Sequence, residues 1–257
     1  MSVLEIKSSD ELDERIANLG VVEPYVKDAY NKAVCDKSAF IMLRKTGLGG
    51  SDSSIVLNVN PFKTHADLIK DKTATYPTQE ELAIGEKPNV RKGSDLEPLI
   101  LGKAEEWLGM CVHKPTTMYR FLSPSCLTVN YDGVVLTDTV CFPVEAKLVS
   151  QWAEKYWDVS KALSNPLAKS LPKIVGGTLE NHIIEASKLY GIPPYYYTQV
   201  QQEMLGLNAP YGYVAAMFDR MWEFKMFLIH RDDFTCEMLK MEGQRLWTEI
   251  KQHNNRI

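Results

Sequence analysis

The chain has 257 residues, 45% of them hydrophobic and 24% charged, enough for a globular protein to bury a sizeable core. Its formal net charge of −4 does not advertise a polyanion-binding protein. A protein that binds a polyanion can nonetheless carry that balance where an acidic cluster is neutralised by metal and the lysines gather on one face. Five scattered cysteines (Cys35, Cys111, Cys126, Cys141, Cys236) include no C-x-x-C pair. They argue against a disulfide framework and a zinc or iron–sulfur site, and point to a reducing cytoplasm. Met1 to Asp10 has no signal-type apolar core, and no stretch is long and apolar enough to span a bilayer, so no membrane partner is expected.

In chain order, Ser8 to Gly20 reads as a short helix, capped by Ser8 with Glu11, faced by Leu12, Ile16 and Leu19, and stopped by Gly20. An amphipathic segment from Pro24 to about Leu43 reads as a second helix and delivers Arg44. The run Arg44-Lys45-Thr46-Gly47-Leu48-Gly49-Gly50-Ser51-Asp52 then predicts a turn into a short helix through Leu57, with Ser51 or Asp52 as cap. Exposed amides there, beside Arg44 and Lys45, suit a phosphate. The run is neither a Walker loop nor a dinucleotide fingerprint, so no nucleotide cofactor is expected.

Thr64 should cap a helix carrying Ala66, Leu68 and Ile69. The polar segment between Thr73 and Asn89 reads as a mobile loop. A helix from Ser94 or Asp95 to Leu108 has the stripe Leu96, Leu99, Ile100, Ala104 and Trp107, with Glu97 beside it. Short strands follow at Cys111-Val112-His113, Met118–Phe121 and Leu127–Val129.

The centre of the chain is a predicted hairpin of Val134-Val135-Leu136 and Cys141–Leu148. Alternation puts Glu145 and Lys147 on one face, with Val144, Ala146 and Leu148 on the other. Asp132, at the mouth of the first strand, can meet Glu145 across the pair. Two carboxylates beside an ammonium make a hard-cation site suited to phosphodiester hydrolysis. Alone, Asp-Gly is also a common turn pair and Glu-x-Lys a common solvated salt bridge.

Beyond it, Trp152 to Val159 reads as helical, Ser164 to Gly177 as a basic surface loop, and Thr178 to Tyr190 as a helix ended by Gly191. Pro193-Pro194 starts another helix, on which Gln199 is a polar residue set among packing residues. A second hairpin, Tyr211–Phe218 with Trp222–Ile229, precedes a last helix from Phe234 to about Ile250. The five histidines are dispersed, so a histidine-based metal or nucleophile site is not expected.

Four blocks, in order, carry a resemblance to a known family. They are Arg44 with Gly47-Leu48-Gly49-Gly50-Ser51-Asp52; Lys92-Gly93-Ser94-Asp95-Leu96-Glu97-Pro98; Asp132-Gly133 with Val144-Glu145-Ala146-Lys147; and Tyr197-Thr198-Gln199-Val200-Gln201. Together they resemble the lambda-exonuclease-like (YqaJ-type) viral recombinase family of the PD-(D/E)XK nuclease superfamily.

That resemblance implies an α/β (α+β) fold, a restriction-endonuclease-like core with a central mixed sheet flanked by helices. The whole of 1–257 would be one nuclease domain, with an N-terminal helical segment to residue 43, a core over 44–232 and a C-terminal helix over 233–257. Asp132 and Glu145 with the Ala146 carbonyl would hold Mg²⁺ or Mn²⁺, and Glu97 would add a carboxylate. Lys147 would activate or orient the water with Gln199 beside it, and Arg44 and Ser51 would bind a 5′-phosphate. The function implied is a phage or prophage 5′-to-3′ exonuclease acting on double-stranded DNA ends in the cytoplasm of a bacterial host. It would work with a single-strand annealing recombinase, in a homo-oligomer such as a trimeric ring. A structure- or site-specific endonuclease and a catalytically silent DNA- or protein-binding module are the alternatives. Tyr131 departs from the family's proline before the aspartate, Asn130 replaces a small hydroxylic residue, and the insert between Lys147 and Gln199 is long.

Overall fold

The computed structural model describes residues 6, 8–29, 36–84, 86–163 and 178–254. Its elements are α1 (Ser9–Ala17), β1 (Val22–Val26), α2 (Lys37–Arg44), α3 (Ser53–Val56), α4 (His65–Thr73), α5 (Gln79–Ile84) and α6 (Pro88–Leu108). These are followed by β2 (Met118–Phe121), β3 (Thr128–Val129), β4 (Gly133–Leu136), β5 (Cys141–Val149), α7 (Leu179–Tyr190), α8 (Pro194–Gly206), β6 (Tyr211–Phe218), β7 (Glu223–His230) and α9 (Asp233–Asn254).

The strands form a three-stranded sheet, β1-β2-β3, and a four-stranded mixed sheet, β4-β5-β6-β7. In the mixed sheet β4 and β7 run antiparallel to their neighbours, while β5 and β6 are parallel. A parallel pair needs a crossover, and the segment from Ser150 to Pro210, including α7 and α8, supplies it. Gly133 pairs with Val144, so both point to one face, and a Cβ on Gly133 would meet Leu101 of α6 at 3.0 Å. Glu145 and Lys147 point the other way, toward α8. The mixed sheet is thus flanked by α6 on one face and α8 on the other, and buried apolar residues from Leu12 to Ile250 form one contiguous cluster around it.

Several local expectations hold. Ser8 accepts from the Glu11 amide to cap α1, and Thr64 and Asp67 form a reciprocal capping box on α4. The hairpin β4–β5 and the helices α7, α8 and α9 lie close to their predicted spans.

Others are corrected. The segment from Pro24 to Leu43 is not one helix, because Val22–Val26 pairs with β2 and only Lys37–Arg44 is helical among its described residues. The proposed loop between Thr73 and Asn89 contains α5, and α6 starts at Pro88, whose missing N–H costs nothing at a helix start. Leu99 is 47% exposed, since the buried stripe runs through Ile100, Leu101, Ala104 and Leu108. Cys111 to His113 makes only a single bridge, His113 to Val134. Trp152 to Val159 forms short 3-10 turns at Glu154–Tyr156 and Val159–Lys161 instead of a helix. The expected basic loop at Ser164–Gly177 lies outside the described residues.

Candidate active site

The register of β4 on β5 places Asp132, just before β4, next to Ala146, whose amide donates to Asp132 Oδ2 at 3.0 Å. One residue earlier on the same strand, Glu145 is 1% exposed and projects to the α8 face. Its Oε1 accepts from Lys147 Nζ and from Gln199 Nε2. Lys147 Nζ lies 4.9 Å from the centroid of the Tyr196 ring, a cation–π contact that keeps the ammonium at the sheet surface. The structure therefore brings Asp132, Glu145, Lys147 and Gln199 together from two strands and one helix.

The charge in this cluster is unbalanced. Glu203, one turn beyond Gln199 on α8, is also 1% exposed, and its Oε1 accepts from Gln199 Nε2 at 3.1 Å. Three carboxyl groups thus face one ammonium. Burial, then the charge of Glu145, raises Asp132, with Lys147 opposing. Burial, Glu145 and Asp132 together push Glu203 well above the ordinary carboxylate range. Burial alone would pull Lys147 down, but Glu145 and Asp132 outweigh it and raise it, so the side chain stays an ammonium. Glu145 Oε2 and Glu203 Oε2 are buried without a hydrogen-bond partner.

A buried, unpartnered carboxylate oxygen on an over-acidic cluster fits a divalent cation, which supplies both the missing partner and the missing charge. The donor set of Asp132, Glu145 and a backbone carbonyl suits Mg²⁺ or Mn²⁺, which take few protein ligands. Among the described residues no group of three or more His, Cys, Asp or Glu side chains is arranged as a cage. Glu97 pairs with Lys114 Nζ at 2.5 Å.

A cleft of about 140 Å³ runs from Asp132 and Gln199 past Asn130 to Ser51 and Arg44. Arg44 Nη2 donates to Ser51 Oγ at 2.6 Å, and both residues are exposed at the cleft mouth. Beneath them Asp52 Oδ2 accepts from the Gly49 amide at 2.9 Å and from Lys72 Nζ at 2.7 Å, so Asp52 closes the glycine turn from inside. Lys72 Nζ also donates to the Arg44 carbonyl at 2.7 Å. On the other side Gln202 Nε2 donates to the carbonyls of Leu48 and Thr128, pinning the turn between α8 and β3.

Sequence reasoning missed Glu203, Lys72 and Gln202. Glu203 carried one available signal, its spacing of four from Gln199, which places both on one face of a helix. Lys72 gave none, since its partner lies twenty residues back. The departure at Tyr131 is a packing choice. Its ring is buried against Tyr119 at 5.6 Å between centroids, and its hydroxyl lies over Gly206.

A model of the YqaJ-like viral recombinase domain matches residues 39–206, more than half of the chain. The chain belongs to the YqaJ-like viral recombinase family. It is 27% identical over 122 residues to an uncharacterised YqaJ protein of Bacillus subtilis (strain 168), an alignment covering 48% of this chain and 36% of that protein. The match thus spans about a third of that relative's length. Among solved structures, an alkaline exonuclease (LHK-Exo) from Laribacter hongkongensis is similar with a TM-score of 0.58 at 16% identity, over 84% of this chain and 93% of that one. The same exonuclease in complex with dAMP gives the same figures. The fold is accordingly a lambda-exonuclease-like PD-(D/E)XK fold, and in this chain β5 and α8, with the residue before β4, supply the cluster just described. No helix among the described residues is long and apolar enough to cross a membrane.

Proposed function

We propose that this YqaJ-family chain is a metal-dependent deoxyribonuclease that digests double-stranded DNA from a 5′ end. One observation carries the reading: the Asp132–Glu145–Lys147–Gln199 cluster and the Arg44–Ser51 pair line or adjoin a single cleft. The exonuclease named among the similar structures supports it.

Asp132, Glu145 and the Ala146 carbonyl would hold Mg²⁺ or Mn²⁺. Bound there, the ion would draw in phosphate oxygens and make a water more acidic. Lys147, as an ammonium, has no lone pair with which to take a proton, so it orients the water or steadies the charge that develops on phosphate. Arg44 offers a fork of N–H donors to a terminal phosphate, with the Ser51 hydroxyl beside it. Asp52 would repel that phosphate, and Lys72 cancels its charge. Glu97, held by Lys114, remains a candidate second-ion ligand only if that ion pair opens. Work with a single-strand annealing protein and assembly into a ring around DNA belong to the same proposal.

The test is digestion of linear and covalently closed duplex with Mg²⁺ or EDTA, using 5′-phosphorylated and 5′-hydroxyl ends. Mg²⁺-dependent loss of the linear form alone, faster with 5′-phosphate and losing that preference in Arg44→Ala, is expected. Cutting of the closed circle would turn the reading to an endonuclease. No cleavage with Mn²⁺ demonstrably bound would leave a silent DNA-binding module.

A further inference from the structure

Gln199 Nε2 donates to two carboxyl groups, Glu145 Oε1 at 2.5 Å and Glu203 Oε1 at 3.1 Å. A primary amide has two N–H donors on one end and a carbonyl on the other. With both donors engaged, the carbonyl oxygen is the end left for the cleft that Gln199 lines. Glu145 alone would hold the amide poorly, because the same Oε1 also serves Lys147. Glu203 supplies the second, independent anchor from within α8, one helical turn away. Its position has no evident packing reason: it is 1% exposed, and its other oxygen is buried without a partner. An apolar residue would fill that space at lower cost.

We propose that Glu203 is a positioning residue that orients the Gln199 amide, so that Gln199 Oε1 faces the cleft and accepts a hydrogen bond from the water attacking the phosphodiester. This rests on the nuclease reading. Oε1 of Glu203 is an acceptor whether the group is a carboxylate or a carboxylic acid, so the role does not depend on its protonation. It follows that the acceptor atom, and not the negative charge, is what the site needs at position 203. A side chain that keeps the oxygen and loses the charge should therefore restore what an apolar one removes.

The experiment compares Glu203→Leu, Glu203→Gln, Gln199→Ala and the double variant Gln199→Ala/Glu203→Leu on linear duplex. Glu203→Leu should lower kcat up to about 100-fold, the scale of a misplaced catalytic group, with KM within about threefold. Glu203→Gln should recover most of that loss. The double variant should be no slower than Gln199→Ala, because Glu203 acts through Gln199. Glu203→Gln as damaged as Glu203→Leu, or losses that multiply in the double variant, would overturn the proposal. So would loss of Mn²⁺-induced thermal stabilisation in Glu203→Leu equal to that in Asp132→Asn, which would make Glu203 an ion ligand. Glu203→Met serves where Glu203→Leu does not fold.

A readout independent of activity separates this proposal from the nuclease reading. In protein labelled with ¹⁵N-glutamine, the Gln199 carboxamide signal is assigned by its absence in Gln199→Ala. Its two protons should be well separated in the wild type and in Glu203→Gln, and should collapse toward free-amide shifts in Glu203→Leu. An unchanged signal in Glu203→Leu would refute the positioning role even in a protein that cleaves no DNA. A wild type inert on DNA with that signal behaving as expected would refute only the nuclease reading.

Discussion

Replacing Lys72 by methionine tests how the candidate phosphate pocket is held. The Lys72 and Asp52 side chains are 3% and 11% exposed and meet at 2.7 Å, and no other cation contacts that carboxylate directly among the described residues. Burial pushes the Asp52 carboxyl up, but Lys72 first and Arg44 next outweigh it and hold it below the ordinary range. Removing one partner of a buried pair leaves the other charge stranded, at a cost of about 3–5 kcal/mol. For a chain of this size each kcal/mol moves the melting temperature by about 2–4 °C, so Lys72→Met should melt about 6–20 °C lower. Adding Asp52→Asn should return most of that loss, since an amide oxygen still accepts from Gly49 and no charge is left unpaired. In the single variant the stranded carboxylate also turns on Arg44 and competes with a bound 5′-phosphate. A unit charge on the order of 5 Å away at an effective dielectric near 20 is worth about 3 kcal/mol, which sets the ceiling. The preference for 5′-phosphorylated ends should therefore fall by roughly 10- to 100-fold, and recover in the double variant. Circular dichroism melts and cleavage rates on the two kinds of end measure both effects. Lys72→Met melting within about 3 °C of wild type, or a double variant no more stable than the single, would refute the reasoning.

Three further outcomes can be measured. A Cβ on Gly206 would meet the Tyr131 hydroxyl at 2.4 Å, so Gly206→Ala should destabilise by about 1–3 kcal/mol, and Tyr131→Phe should relieve it, both read by urea denaturation. Asp52 and Asp232 are held below the ordinary aspartate range, Asp232 because hydrogen bonds from Thr235 and His182 outweigh the effect of burial. A carboxyl depressed by folding adds stability that is complete above its unfolded pKa of about 3.9 and is lost as the pH falls through its folded value. Acid titration should thus show stability falling below about pH 4, and Asp232→Asn should flatten that fall. Finally, EDTA should abolish cleavage and lower the melting temperature of wild type, with little further effect on the melting of Asp132→Asn, because the ion's stabilisation enters through its own ligands.

Which parts of this were readable from the sequence follows from the range of the interactions. The hairpin β4–β5 was legible because alternation and a turn pair are local, and Asp132 met Ala146 and Glu145 for the same reason. The start of α6 was not, because Ser94 and Asp95 offered a cap that Pro88 pre-empted. Pro24 to Val26 reads as the start of a helix, and only pairing with β2, nearly a hundred residues on, makes it part of a strand. Glu97 sat beside a stripe of which only Ile100 and Ala104 are buried, and the helix turns it to Lys114, a partner no spacing rule predicts.

The most informative signal left unused was the polarity of α8. Gln199, Gln201, Gln202 and Glu203 fall within five positions of a helix whose residues from Tyr197 to Gly206 are, Gln199 apart, all buried. A buried helix cannot leave such groups idle, since each unpaired one costs more than an apolar replacement. Each does have a separate duty. Gln201 bonds the His230 carbonyl and the Asp232 amide at the end of β7, and Gln202 ties the glycine turn to β3. Gln199 and Glu203 turn to Glu145 and to each other. Four demands for partners within five positions of one helix mark it as the element that joins sheet, turn and last helix around the cleft. The helix is thus the frame of the site as well as a contributor to it, and that explains why a single turn of α8 carries both Gln199 and the residue proposed to aim it.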